Sequence, residues 1–275
     1  MPELPEVETV RARLARAVAG RRIERAAIRD ARLTRPVDPD LVAAELTGER
    51  VSAVGRRGKY LVVRFESGRA LLVHLRMTGS FRVGVGGDLG DDRHRRAVLA
   101  LDDGTDVGYR DVRRFGTWEL VGPGELEARL EARLGPEPLG RFPSALLARR
   151  LEGRRTSLKA ALLDQRTVAG LGNIYVDEAL WHARLHPLRP AGSLAPHEVR
   201  ALHRGIRKAL RRGIERQGAS LRDYADPDGR RGSMQDEFRV YGRAGAPCHR
   251  CGRPIARIRV AGRGSWHCPR CQPLG

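Results

Sequence analysis

The chain's four cysteines stand together near its C-terminal end as Cys248-x2-Cys251-x16-Cys268-x2-Cys271. No other feature constrains the fold as tightly. Two CxxC knuckles at this separation present four thiolates to one tetrahedral zinc ion and hold the hairpin between them in shape. Every ligand position is filled and none is left for water or substrate, so the expected role of the zinc is structural. Disulfides are the competing reading. The opening residues MPELPEVET carry three glutamates and lack the basic-then-apolar layout of a secretory signal, so a cytoplasmic location is expected, where thiols stay reduced. His249 and His267 adjoin cysteines but are surplus to a closed site.

The knuckles lie in a basic segment. Residues 238–275 hold eight arginines and no acidic residue, within a chain of net charge +19 and pI near 11.2. Such a balance points to a polyanionic partner, most simply nucleic acid. A membrane is disfavoured, because no apolar run approaches the roughly 20 residues of a span. No basic amphipathic helix stands apart from a core either. Zinc ribbons also serve as protein–protein elements, so the knuckles alone leave the partner open. Of the 52 basic residues only Lys59, Lys159 and Lys208 are lysines. A lysine can lose its proton where an arginine effectively cannot, which singles out Lys59 and Lys159. Lys208, on a basic helix, reads as a solvated charge.

The 275 residues suffice for about two domains of ordinary size, with 41% hydrophobic residues to build their cores. Pro5 to Gly20 carries one apolar stripe and reads as a helix. Short strands follow: Tyr60–Phe65 and Ala70–Leu75 around the turn Glu66–Arg69, Ala97–Leu101 and Asp106–Tyr109 around Asp102–Thr105, and then Trp118–Val121. Near Gly135-Pro136 the periodicity changes. Ser144–Leu151, Ser157–Asp164, Ile174–Ala183 and Pro196–Gln217 read as helices, and Gln217–Met234 as a loop. The expected fold is α+β and multidomain: a β-sandwich with flanking helices over 1–135, a helical domain over 136–235, and the zinc hairpin over 236–275.

Pro2 is small, so Met1 would ordinarily be cleaved to leave a secondary amine at the chain end. An α-amino group titrates near pH ~8, and basic surroundings favour its neutral, nucleophilic form. Glu3 beside it is a candidate acid–base partner. The other reading is an ordinary helix start, where acidic residues suit the dipole.

Taken in order, MPELPEVETV, Gly58-Lys59-Tyr60-Leu61, His74-Leu75-Arg76-Met77-Thr78-Gly79, Asp111-Val112-Arg113-Arg114-Phe115-Gly116, Gly135-Pro136-Glu137-Pro138-Leu139, Gly170-Leu171-Gly172-Asn173-Ile174-Tyr175, Val240-Tyr241-Gly242-Arg243 and the zinc knuckles resemble the formamidopyrimidine-DNA glycosylases. The likeness runs the length of the chain. It implies a bifunctional DNA repair enzyme that excises oxidised purines from duplex DNA and nicks the abasic site by β,δ-elimination. It implies a helix–two-turn–helix motif in the middle domain, a single structural zinc, and a monomer acting on double-stranded DNA with oxidised bases or abasic sites. By this resemblance Pro2 is the Schiff-base nucleophile and Glu3 the acid for base release. Lys59 is the proton donor for β-elimination, and Arg263 acts in δ-elimination, more plausibly on phosphate than as an acid. Met77, Arg113 and Phe115 match an intercalating trio. His94, Arg113, Arg154 and Asn173 match DNA contacts, and Lys159 matches a lysine lining the lesion site.

This chain departs from the family at three places. Arg95 and Arg96 follow His94 where a second histidine is usual, Arg154 replaces a common lysine, and Gln217 and Ala219 replace a glycine and a threonine in the base-reading loop. Two other readings compete. Glycosylases for oxidised pyrimidines share the scaffold but usually open with MPEG, so Leu4 favours purine lesions. A non-catalytic DNA-binding relative would lack Pro2, Glu3 or Lys59, and all three are present.

Overall fold

The computed structural model describes residues 1–86, 88–220 and 227–274. The chain forms two compact units, one of residues 1–132 with 217–232, the other of residues 133–216 with the segment from Ser233 onward.

The first unit begins with helix α1 (Leu4–Val18), whose start is fixed by Pro5 in its first turn and by a capping box between Glu3 and Glu6. Leu4, Val7, Val10, Leu14 and Val18 form its buried stripe. Then follow β1 (Ile23–Ile28), α2 (Pro39–Leu46), β2 (Val51–Arg57), β3 (Tyr60–Phe65), β4 (Ala70–His74), β5 (Gly79–Val85), β6 (Arg95–Leu101), β7 (Thr105–Asp111), β8 (Thr117–Val121) and α3 (Leu126–Glu131). The strands make two antiparallel four-stranded sheets, ordered β1-β6-β7-β5 and β2-β3-β4-β8. Their inner faces and α1 share one core, as a sandwich requires. At its centre the rings of Phe81, Tyr109 and Trp118 pack with centroids 5.2 to 6.3 Å apart. The register of β5 on β7 begins at Gly79↔Asp111, which brings the loops on either side of that pair together.

The second unit holds α4 (Ser144–Leu151), α5 (Leu158–Leu163), α6 (Asn173–Ala183), α7 (Pro196–Glu215) and the hairpin β9 (Ala256–Val260) and β10 (Arg263–His267). Helices α6 and α7 meet at Gly205, where a Cβ would stand 2.6 Å from the Ala179 carbonyl. The hairpin turns on Ala261 and Gly262, with φ of 48° and 74°, the paired left-handed geometry of a two-residue type I′ turn.

The sandwich, the helical domain and the hairpin are as the sequence implies. Strands β1, β2 and β5 and helices α2 and α3 go unread in the sequence: arginines or glycines interrupt the alternation of the strands, and the helices run for only eight and six residues. The segment 217–232, grouped by sequence with the helical domain, packs with the first unit instead: the Ala219 N–H reaches Glu6 Oε1 at 2.8 Å. Residues 221–226 of the loop read over Gln217–Met234 lie outside the described residues. Among those described, no helix is long and apolar enough to cross a membrane.

Candidate active site and nucleic-acid interface

The chain's start is enclosed. Met1 is exposed, but Pro2 is buried and Glu3 is only 3% exposed. Glu6, itself buried, accepts the Glu3 backbone N–H at 2.8 Å through Oε2 and the Ala219 N–H through Oε1. One carboxylate thus joins the first residues to the segment carrying Gln217 and Ala219. A Cβ at Gly218 would fall 2.7 Å from the Glu6 side chain, so this contact tolerates only glycine. Gln217 adopts φ of 58°, a left-handed conformation that suits the family's usual glycine and strains a side chain. Glu6 was no sequence candidate; its capping-box spacing from Glu3 marks a helix start, not a bridge to residue 219.

Lys59 follows Gly58, whose φ of 58° makes the tight turn from β2 to β3. It is 5% exposed. His74 lies opposite Tyr60 in the β3–β4 register, its ring edge-on at 4.7 Å. Burial, with the charges of Arg76 and Lys59, lowers the His74 pKa to about 3. The ring is therefore neutral near pH 7, and its Nδ1 accepts the Arg76 backbone N–H at 3.0 Å. That bond holds Arg76 at φ of 51° and opens the loop bearing Met77.

Met77 and Phe115 are both exposed, at 41% and 51%. Neither side chain belongs to the sandwich core. Their loops share one clamp. Asp111, 1% exposed, accepts the Thr78 hydroxyl at 2.5 Å on Oδ1 and the Gly116 N–H at 2.7 Å on Oδ2. Thr78 Oγ1 in turn accepts the Arg113 N–H at 3.0 Å. Beneath them lies the Tyr109 hydroxyl, 2.3 Å from where a Cβ would sit on Gly79 and 1.9 Å from one on Gly116. Arg114, at φ of 59°, forks onto Asp30 at 2.6 and 2.7 Å, and this guanidinium holds the Asp30 carboxyl below its usual range. Arg113 is left exposed, its guanidinium 4.7 Å from the Phe115 ring centre. An aromatic wedge, a flexible apolar side chain and a cation thus project from one rigid base. His94 adjoins it: its carbonyl accepts the Asp111 N–H at 3.0 Å, while Arg96 Nε binds the Asp111 carbonyl at 2.9 Å.

In the second unit, Asn173 begins α6 after the turn Gly170–Gly172. Its Nδ2 donates to the Gly264 carbonyl at 3.1 Å, and its Oδ1 is buried without a hydrogen-bond partner. Arg263, the residue before Gly264, is exposed at the head of β10. Arg154 is half-buried and 3.3 Å from Asp164. Lys159, which the resemblance matches to a lysine lining the lesion site, lies in the interior. It is fully buried, with Nζ 2.8 Å from Asp177 Oδ1 and 2.9 Å from the Gly264 carbonyl. Asp177 also accepts Ser265 Oγ at 2.9 Å and the Trp266 N–H at 3.0 Å. A charge held this way braces the hairpin strand carrying Arg263. Its partners lie 18 and 105 residues away in sequence, which hides the pairing from spacing rules.

The four cysteine sulfurs lie within 4.8 Å of one another. Backbone N–H groups of Arg250 and Cys271 point at Cys248 Sγ and Cys268 Sγ, at 3.5 and 3.4 Å. Trp181, Val240 and Ile255 pack around them. The donor set is a structural four-cysteine zinc site. Gln272 braces it, accepting the Cys268 N–H and donating to the Leu185 carbonyl.

Comparison with known proteins agrees with this layout. Residues 1–118 match the formamidopyrimidine-DNA glycosylase N-terminal domain, 134–225 the H2TH domain of the same enzymes, and 245–274 the zinc finger found in FPG and IleRS. A formamidopyrimidine-DNA glycosylase of Symbiobacterium thermophilum is 51% identical over 276 residues, spanning 100% of this chain and 90% of that protein. The fold superposes on a Lactococcus lactis FPG mutant in complex with Fapy-dG-containing DNA, with a TM-score of 0.91, 39% identity and coverage of 99% and 100% of the two chains. MutM in complex with DNA containing carbocyclic 8-oxo-G gives 0.90 and 39% identity, over 99% of this chain and 100% of that one. With all three domains matched in order, the chain belongs to the formamidopyrimidine-DNA glycosylase family.

Proposed function

We propose that this protein is a bifunctional DNA glycosylase and abasic-site lyase, working as a cytoplasmic monomer on duplex DNA that carries oxidised purines such as 8-oxoguanine and formamidopyrimidines. With Met1 removed, the neutral Pro2 amine attacks C1′ of the damaged nucleoside. The C1′–N bond breaks as Glu3 assists base release, and the sugar opens to an iminium on Pro2. Lys59 moves a proton as the 3′ C–O bond breaks by β-elimination. The 5′ phosphate then leaves by δ-elimination under the grip of Arg263, and water hydrolyses the remaining Schiff base to restore the amine. Met77, Arg113 and Phe115 fill the space vacated by the extruded base and steady its partner. Asn173, Arg154 and His94 contact the DNA, the first at a helix N-terminus suited to phosphate.

The observation that carries this reading is the enclosure of the chain's start. A nucleophile needs a fixed approach to C1′, and Glu6 tethers these first residues to segment 217–220 instead of leaving them to fray. A labelled duplex with 8-oxoguanine opposite cytosine tests it. The reading predicts release of the free base and a one-nucleotide gap with phosphate on both sides. Intact strands after incubation with excess enzyme would contradict it.

A further inference from the structure

Helix α6 has Asn173 at its N-terminus; at its other end Glu178, Trp181 and His182 wall a groove of about 910 Å³. The facing wall is α7, and Arg239 and Arg250 close the sides. Its acids are already engaged. Glu178 is buried and accepts the N–H groups of Arg239, Val240 and Tyr241, at 2.9 to 3.0 Å. Glu215 and Glu237 pair with Arg212 at the C-terminal end of α7, and Glu237 also with Arg216. Arg204, Lys208 and Arg211 are exposed and lack an acidic partner among the described residues. Arg250 is fixed in place, stacked 3.7 Å from the Trp181 ring centre and bonded to the Trp181 carbonyl at 2.6 Å. Lys208, Arg250 and Arg239 all face His182, whose pKa burial and these charges lower to about 4. With the groove's acids engaged in this way, the remaining cations repel one another until a further anion joins them.

The arrangement selects the kind of anion. Arg204, Lys208 and Arg211 stand at i, i+4 and i+7 on one face of α7, a row about 10 Å long at 1.5 Å per residue. A site for a single phosphate converges its donors on one point. A row matches a strand, whose charges follow every ~3.4 Å along the axis. We propose that this groove binds the phosphate backbone of a second nucleic-acid segment, without regard to sequence, at the end of α6 opposite Asn173. The first segment is the one engaged in the proposed catalysis, so that part of the inference rests on the reading above.

The test uses the full-length enzyme, the triple variant Arg204→Ala/Lys208→Ala/Arg211→Ala, and a control variant Arg16→Ala/Arg25→Ala/Arg32→Ala that removes three exposed arginines from the first unit. Affinity for an undamaged 30-base-pair duplex is measured against salt. Each lost phosphate contact lowers the slope of log K on log salt by ~0.9, so the groove variant is expected to lose about 2.7 and the control less than ~1. Nicking of a preformed abasic site under saturating enzyme is expected to be unchanged in the groove variant. That readout separates this inference from the catalytic one, because failure of the catalytic reading would abolish nicking in every protein tested. Equal slopes for the two variants would overturn the proposal. So would binding of tripolyphosphate, but not of duplex, that depends on these three residues.

Discussion

The pair Lys159–Asp177 gives the sharpest energetic expectation. Both side chains are fully buried, and Asp177 Oδ1 lies 2.8 Å from the Lys159 ammonium. Asp177→Ala removes that anion together with the acceptors of Ser265 Oγ and the Trp266 N–H. Breaking a buried pair from one side leaves an uncompensated charge and costs about 3–5 kcal/mol. The double variant Lys159→Met/Asp177→Leu also removes the stranded charge. It is expected to be more stable than the single variant, its remaining loss being that of the unpaired Ser265 and Trp266 groups, about 1–3 kcal/mol each. Urea unfolding followed by far-UV circular dichroism gives both numbers. Nicking of an abasic duplex tests the consequence for function, because the Gly264 carbonyl held by Lys159 and Asn173 adjoins Arg263. The single variant should lose more nicking than the double. A single-variant loss below about 1 kcal/mol, or a double variant less stable than the single, would refute the argument that the pair is a buried brace.

Asp111→Ala unpairs the Thr78 hydroxyl and the Gly116 N–H, each worth about 1–3 kcal/mol, and should slow excision from duplex by roughly tenfold or more while sparing nicking of a preformed abasic site. Equal losses in the two assays would contradict the role of Asp111 in holding the loops that carry Met77 and Phe115. For His74 the folded pKa of about 3 lies below the unfolded value of 6.5, so its contribution is complete above 6.5 and is lost as the pH falls below it. His74→Gln should therefore reduce the acid sensitivity of unfolding by about 2 kcal/mol between pH 7 and pH 5; an unchanged pH dependence would contradict a buried neutral ring. Cys268→Ser should abolish bound zinc, DNA binding and nicking together while the sandwich unit stays folded. Full nicking by the zinc-free protein would contradict the structural role of the finger.

What the sequence discloses here is local. The knuckle spacing, the apolar stripe of α1 and the turns Glu66–Arg69 and Asp102–Thr105 are set by neighbours within a few residues, and the structure reproduces them. The groups that position the candidate site answer to partners far along the chain. Glu6 meets Ala219, Asp111 meets Thr78, and Lys159 meets Gly264. No periodicity links such pairs. The glycines at 79 and 116 are needed because a tyrosine hydroxyl from β7 lies beneath both loops, a requirement that appears only once the sheets have paired. Lys159 shows the same limit from the other side: its rarity in an arginine-rich chain marks it as special, yet burial decides that it braces a strand.

The central claim is that the amine of Pro2 is the nucleophile. Borohydride reduction during reaction with a duplex containing 8-oxoguanine opposite cytosine, followed by peptide mapping of the adduct, tests it most directly. The account predicts one covalent protein–DNA species, carried on an N-terminal peptide that begins at Pro2 and lost when the N-terminus is extended by a few residues. An adduct that persists in the extended protein, or that maps to Lys59, would contradict it.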